Sequence, residues 1–199
     1  MMTALSLVAA YLLGSIPCAY LISRLNEVDI RAVGDRNVGA FNVFRHVGLR
    51  AGISTLASDI GKGALAVVVT QALSRDVVTT FLAGGAVVAG HNWPVFLHFR
   101  GGRGESTAIG VLLVLLPGEM SISLALSITS LLLTGNSMYL GATLFVTTPL
   151  LCWLFGEPPG LLVYSMTLPC IVGLTHWLRM RSLPLEAQEE AKTFWVSSK

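Results

Sequence analysis

The sequence predicts an all-α, polytopic membrane bundle of about seven helices, and three features carry that prediction: composition, the length of the apolar runs, and the placement of the arginines. Hydrophobic residues fill 53% of the 199 positions, charged residues only 12%, and the mean hydropathy is +0.71. Soluble domains hold roughly a quarter charged residues, so a soluble globular class is excluded. The net charge of +2 carries no signal of nucleic-acid binding.

The elements follow from the apolar runs, since about 20 residues of helix cross a hydrocarbon core of roughly 30 Å. Residues 3–22 form the first span. No Lys or Arg precedes Arg24, and the run is span-length, so it reads as a retained anchor rather than a cleaved signal. Residues 51–73 form a second span despite Asp59 and Lys62, and residues 77–97 a third. The run 107–133 is too long for one span and is interrupted by Pro117, Gly118 and Glu119. It divides into 107–116 and 120–133 around a tight turn at Pro117 and Gly118. Residues 137–154 and 160–178 complete seven crossings, with a five- or six-crossing arrangement containing one re-entrant piece as the alternative.

Arg24, Arg31, Arg36, Arg45 and Arg50 lie between the first two spans, Arg100 and Arg103 after the third, and Arg179, Arg181, Lys192 and Lys199 in the tail. The opposite side holds Arg75. By the positive-inside rule the N-terminus is outside and the C-terminus cytoplasmic. Cys18, Cys152 and Cys170 sit in apolar runs without CxxC spacing, so no redox or metal role is expected of them.

Two cytoplasmic stretches carry more than topology. GDRNVGAFNVFR, residues 34–45, combines glycines whose tight turns present successive N–H groups with Asn37, Asn42, Arg36 and Arg45. That composition suits a phosphate site, because an arginine grips phosphate with two parallel hydrogen bonds. A loop whose arginines only meet anionic headgroups explains the charges but not the glycines and asparagines. GHNWPVFLHFRGGRGEST, residues 90–107, sets Arg100 and Arg103 around Gly101 and Gly102 and leads into a helix start, where unpaired N–H groups favour anions. A lone RGGRG is equally well lipid-facing basic punctuation; two such cradles on one side favour a shared anion site. Asp59 and Lys62, at i, i+3 inside a span, are expected to form a structural ion pair, with Gly61 and Gly63 permitting close helix approach. His91 reads as a structural histidine, His46 and His98 have weaker claims still, and Trp93, Trp153 and Trp177 read as interfacial anchors.

These residues carry a resemblance. LLGSIPCAYLI in the first span, the DIRxxGxxNxGxxNxxRxxG frame from Asp29 to Gly48, the DIGKG of Asp59 to Gly63, and GHNWPVFLHFRGGRG against the pattern GHxxPxxxxFKGGKG are similar, in order and spacing, to the bacterial acyl-phosphate glycerol-3-phosphate acyltransferases. The motifs cover about the first half of the chain. The second half matches in hydropathy and in His176, where the family has a histidine within an arginine-histidine-x-x-asparagine motif. The resemblance implies one integral membrane domain over residues 1–199, with motif segments 29–48, 98–107 and 175–181. It also implies a bacterial cytoplasmic membrane location with the active site facing the cytoplasm.

The reaction so implied is attack by the sn-1 hydroxyl of glycerol 3-phosphate on the carbonyl of a long-chain acyl phosphate, giving lysophosphatidic acid and inorganic phosphate. No protein nucleophile is required; alignment and electrostatic support of two phosphates carry the step. His176, Asn37 and Arg45 become the candidate catalytic residues. Arg36, Gly39, Asn42, Arg100, Gly101, Gly102, Arg103 and Arg179 become the candidate phosphate binders. The implied partners are acyl phosphate, glycerol 3-phosphate or a related acceptor, and membrane lipids; no cofactor, metal or nucleic acid is expected, and no residue pattern sets an oligomeric state.

The chain departs from the family pattern at several places. The usual GSGNxGxTN becomes GDRNVGAFN, with Asp35 for serine, Arg36 for glycine and Phe41 for threonine. Asp35 would repel a phosphate unless an arginine such as Arg36 neutralises it. Arg100 and Arg103 replace lysines, Glu105 replaces a small apolar residue, and YLGA at residues 139–142 replaces a serine-leucine-x-serine pattern. Thr175 stands for arginine and Arg179 for asparagine. Acyl transfer to another polar acceptor, and a non-catalytic lipid- or phosphate-binding scaffold, are the alternatives these departures leave open. The segment after Arg181, with Phe194 and Trp195 near its end, reads as a short amphipathic surface helix or a frayed tail.

Overall fold

A computed structural model describes residues 2–193, and Phe194 and Trp195 lie outside them. All the named elements among the described residues are helical: α1 (Met2–Ser15), α2 (Cys18–Leu25), α3 (Ala40–His46), α4 (Leu49–Leu73), α5 (Val77–Asn92), a 3-10 turn (Val95–Leu97), α6 (Glu105–Leu115), α7 (Pro117–Thr134), α8 (Ser137–Phe155), α9 (Pro159–Met180) and α10 (Leu185–Lys192). Among the described residues, five stretches are long and apolar enough to cross a membrane: Met2–Leu25, Leu49–Leu73, Pro117–Thr134, Ser137–Phe155 and Pro159–Met180. The chain divides into two compact units, Met1–Val114 and Leu115–Lys199.

Each of the seven apolar runs is helical, but prolines move their boundaries. The first run breaks at Ile16 and Pro17, because proline has no N–H to donate and disfavours helix in the residue before it. For the same reason the third run stops at Asn92, ahead of Trp93-Pro94, rather than continuing to residue 97. The tight turn expected at Pro117 and Gly118 falls one residue earlier. Leu116 leaves helical geometry (φ −139°, ψ 62°) and Pro117 opens α7, a position where its missing donor costs nothing.

The surface is inverted relative to a soluble protein. Large apolar side chains such as Leu5, Leu65, Val78, Leu132, Val146 and Leu174 are exposed, whereas Asn42, Asp59, Thr55, Ser123, Ser127 and Thr148 are buried. Apolar surface faces outward when the solvent is lipid, and polar groups must then find partners inside. Hydroxyls in the helices do this locally: Thr55 donates to Ala51 O (2.9 Å), Thr70 to Ala66 O (2.7 Å) and Ser127 to Ser123 O (2.7 Å).

Glycine lets helices of the first unit meet backbone to backbone. Gly90 of α5 lies against Tyr11 O of α1, and Gly14 of α1 lies against Val87 O. Tyr11 Oη also donates to Trp93 O at 2.8 Å. Gly63 of α4 lies against Thr107 O, and Gly110 of α6 against Ile60 O. Gly110→Val places a side chain where that carbonyl sits, so α6 has to leave α4. We expect a loss of about 2–3 kcal/mol, read as a lower melting temperature in detergent.

In the second unit, Gly135 ends α7 in left-handed backbone (φ 65°), and Asn136 caps α8 by accepting from Met138 N–H at 2.9 Å. Gly156 and Pro158 make the corresponding turn between α8 and α9. The expected tail helix is α10; Ser137 Oγ donates to Ala191 O (3.0 Å) and Lys192 O (3.1 Å), which ties it to the start of α8.

Candidate functional site

The loop 26–39 folds over a small apolar core of Ala19, Ile30, Val38, Val43, Ala51 and Leu97, which fixes it to α2, α3, α4 and the 3-10 turn. Its entry is held by a fork. Arg31 donates through Nε (2.9 Å) and Nη2 (2.7 Å) to the two Asp29 oxygens and stacks over Tyr20 at 4.5 Å. The hydrogen bond from Arg31 brings the Asp29 carboxyl down to about 2.

Asn42, a candidate phosphate donor, is fully buried. Its Nδ2 lies within hydrogen-bond reach of Ile30 O (3.2 Å), Val33 O (3.2 Å) and Asn37 O (3.0 Å). One amide thus closes the loop upon itself. Gly34, in left-handed backbone at φ 56°, packs on Asn42 Oδ1 and His46, and a Cβ there would strike both. Gly39 begins α3, with its Cα facing the Asn37 amide, and Asn37 is half-buried at the turn. Arg36 is exposed and held at φ 55°, a conformation an L-residue adopts at a cost of about 1 kcal/mol. Arg45 closes α3, half-buried, with Nε and Nη1 shielded from solvent.

The second stretch leaves α5 through Pro94 and the 3-10 turn, then passes two left-handed residues, His98 (φ 51°) and Phe99 (φ 62°). This reverses the chain and leaves Arg100 exposed. Gly101 N–H donates to Asn92 O (3.3 Å) and Gly102 N–H to His91 O (3.1 Å), so the glycines lie along the end of α5. Neither tolerates a side chain: Gly101 abuts His91 O and Pro94, and Gly102 abuts the His91 ring and Val38 O.

The two stretches meet. Arg103 Nη2 donates to Asp35 Oδ2 at 2.8 Å, with both side chains largely buried (11% and 3% exposed). Asp35 Oδ1 accepts the Asn37 N–H at 3.1 Å. The neutralising arginine is therefore Arg103, and not Arg36, which is exposed. Val38 O beside Gly102 is a second point of contact.

Under the glycines lies a buried charge cluster. Lys62 Nζ is 2.8 Å from Asp59 Oδ1 and donates to Ile16 O at 3.1 Å. That carbonyl lies in the helix break at Pro17 and also accepts the Cys18 N–H at 3.1 Å. His91 Nδ1 lies 3.4 Å from the same Asp59 oxygen, so the expected pair is a triad. With Cys18, Pro17, Gly101 and Gly102, the triad lines a narrow cleft.

Glu105 opens α6, two residues before the apolar run begins, with its Oε1 buried and accepting no hydrogen bond. Burial pushes its carboxyl up to about 7, opposed by the Arg103 guanidinium. A carboxyl raised in the fold contributes most below its unfolded value of 4.5 and loses that contribution as pH rises through 7. Glu105→Gln should therefore raise the melting temperature at pH 8 by a few degrees, for about 1–2 kcal/mol, and leave it unchanged near pH 4.

His176 and Arg179 belong to the second unit, half-buried and one turn apart at the end of α9. Thr175 beside them is buried and donates to Ile171 O at 2.8 Å, and Arg181 stacks on Trp177 at 4.8 Å.

The chain is similar over most of its length to known proteins. The family described as glycerol-3-phosphate acyltransferase matches residues 4–184. A relative from Dehalococcoides mccartyi, glycerol-3-phosphate acyltransferase 4, is 42% identical over 90% of this chain and 98% of its own. The glycerol-3-phosphate acyltransferase of Thermoanaerobacter pseudethanolicus is 36% identical over 92% of each. Among solved structures, PlsY, an integral membrane glycerol 3-phosphate acyltransferase, superposes in its glycerol 3-phosphate form with a TM-score of 0.85, at 26% identity, over 98% of this chain and 96% of that one. Its lysophosphatidic acid form superposes at 0.81, with 27% identity over 91% of each. The chain belongs to the glycerol-3-phosphate acyltransferase family.

Proposed function

We propose that the protein transfers a long-chain acyl group from an acyl phosphate to the sn-1 hydroxyl of glycerol 3-phosphate, releasing inorganic phosphate and lysophosphatidic acid for phospholipid synthesis. The observation that carries this reading is the union of the two glycine- and arginine-bearing stretches through Asp35 and Arg103 in a chain of this family. An acyl phosphate is already activated, so the protein's tasks are to align the hydroxyl with the carbonyl and to hold the charge that shifts between phosphates. Arg45, Arg36, Arg100 and Arg103 supply cationic donors, and the N–H groups around Gly39, Gly101 and Gly102 supply neutral ones. Asn37 orients substrate, while Asn42 serves the site by holding the loop. At the end of α9, His176 is the candidate hydrogen-bond donor or proton carrier and Arg179 a candidate phosphate contact. The loops face the cytoplasm, and the helices cross the bacterial cytoplasmic membrane seven times, with α5 and α6 as the short crossings.

Asp35, buried beside Arg103, favours a second reading, acyl transfer to an acceptor with less negative charge. Purified protein supplied with palmitoyl phosphate and either glycerol 3-phosphate or uncharged polyols decides between them. Release of phosphate with formation of lysophosphatidic acid supports the first reading. Acylation of polyols alone supports the second, and no acceptor-dependent release overturns both.

A further inference from the structure

We propose that Asp35 is a positioning residue for Arg103, and that aspartate for serine at 35 and arginine for lysine at 103 act as one linked replacement within the acceptor-phosphate site. The role presupposes the acyl transfer proposed above.

Taken singly, each departure is unfavourable. An isolated carboxylate beside a bound phosphate repels it, and a carboxylate buried without compensation is unfavourable in itself. Arg103 cancels both terms at 2.8 Å. The aspartate is itself aimed, since Oδ1 is capped by the Asn37 N–H while Oδ2 meets Arg103 Nη2. The guanidinium is a planar fork with five N–H donors, so one nitrogen can rest on the carboxylate while the plane stays oriented toward an anion. An ammonium is a point charge without that division of labour. A lysine at 103 facing Asp35 would be drawn to the carboxylate and away from phosphate. An arginine facing a serine at position 35 would lose the partner that fixes its plane. In this chain each of the two side chains is unfavourable without the other, so Asp35 and Arg103 act as a unit.

The test is a double-mutant cycle on the full-length purified protein with palmitoyl phosphate as donor, comparing Asp35→Ser, Arg103→Lys and the two together. Each single variant is expected to raise KM for glycerol 3-phosphate at least fivefold, with kcat changed less than threefold. The double variant is expected to recover, with a KM below that of either single variant. A residue that only supports folding would lower yield and kcat without that split and without rescue. A double variant whose KM rises by the product of the two single effects overturns the proposal, as does a wild-type KM for Asp35→Ser. If the wild-type protein transfers nothing to glycerol 3-phosphate, the proposed function falls. The coupling is then read in the same four proteins as the melting-temperature shift given by inorganic phosphate. Rescue of that shift in the double variant supports the linked pair, and additivity overturns it.

Discussion

Asp59→Ala is expected to cost about 3–5 kcal/mol of stability, the largest effect of any single substitution in the first unit. The carboxylate is 1% exposed, compensates Lys62 at 2.8 Å and lies 3.4 Å from His91. Removing it leaves an ammonium, itself 6% exposed, facing the Ile16 carbonyl in the helix break without its counter-charge. An uncompensated charge in a lipid-embedded helix packing is far costlier than the pair it came from. Replacing both partners by apolar residues, Asp59→Leu with Lys62→Met, should be much milder than Asp59→Leu alone. Thermal unfolding in detergent measures both comparisons, and a melting temperature for Asp59→Ala within about 2 °C of wild type would refute this account of the triad. The damage should also reach the glycines, since His91 receives the Gly102 N–H on its carbonyl and packs its ring on the Gly102 Cα.

The second large effect concerns chemistry. Arg45→Ala is expected to lower kcat/KM for glycerol 3-phosphate at least about 100-fold, the scale of one charge-assisted donor lost from a transition state. Arg45 stands on the last turn of α3, and that helix starts at Gly39, directly after the loop that Asn42 closes. Its charge is thus delivered by a short rigid element rather than by a mobile tail. Arg45→Lys keeps the charge and loses the fork, so it should retain part of the activity. Steady-state phosphate release, with circular dichroism to show that the helices persist, separates this from misfolding. Unchanged kcat/KM in Arg45→Ala would remove the residue from the site.

The helices were legible because lipid imposes a composition and a length on whatever crosses it, and each apolar run of the sequence is helical. Their ends were less so. Pro17 and Pro94 announce a break, but how many residues it removes depends on the packing that follows. Within the site, Asp59 with Lys62 could be seen at i, i+3, whereas His91 lies far along the chain from Asp59 and enters the cluster through the packing of α5 on α4. The partner of Asp35 was invisible for the same reason, being 68 positions away. Arg36 was the nearer candidate, but its side chain is exposed. The family's glycine at that position was the available signal of its positive φ. Asn42 shows a different limit, since an amide suited to an anion is equally suited to three carbonyls, and only the fold chooses.

If residues 34–45 and 100–104 form one anion site, equilibrium binding of radiolabelled glycerol 3-phosphate to wild type, Arg45→Ala, Arg103→Ala and the double variant reveals it. Binding should be saturable and salt-sensitive, at least tenfold weaker in each single variant, and in the double variant weaker by less than the product of the two losses. Wild-type affinity in Arg103→Ala, or full additivity of the two losses, would mean that the two stretches do not share an anion.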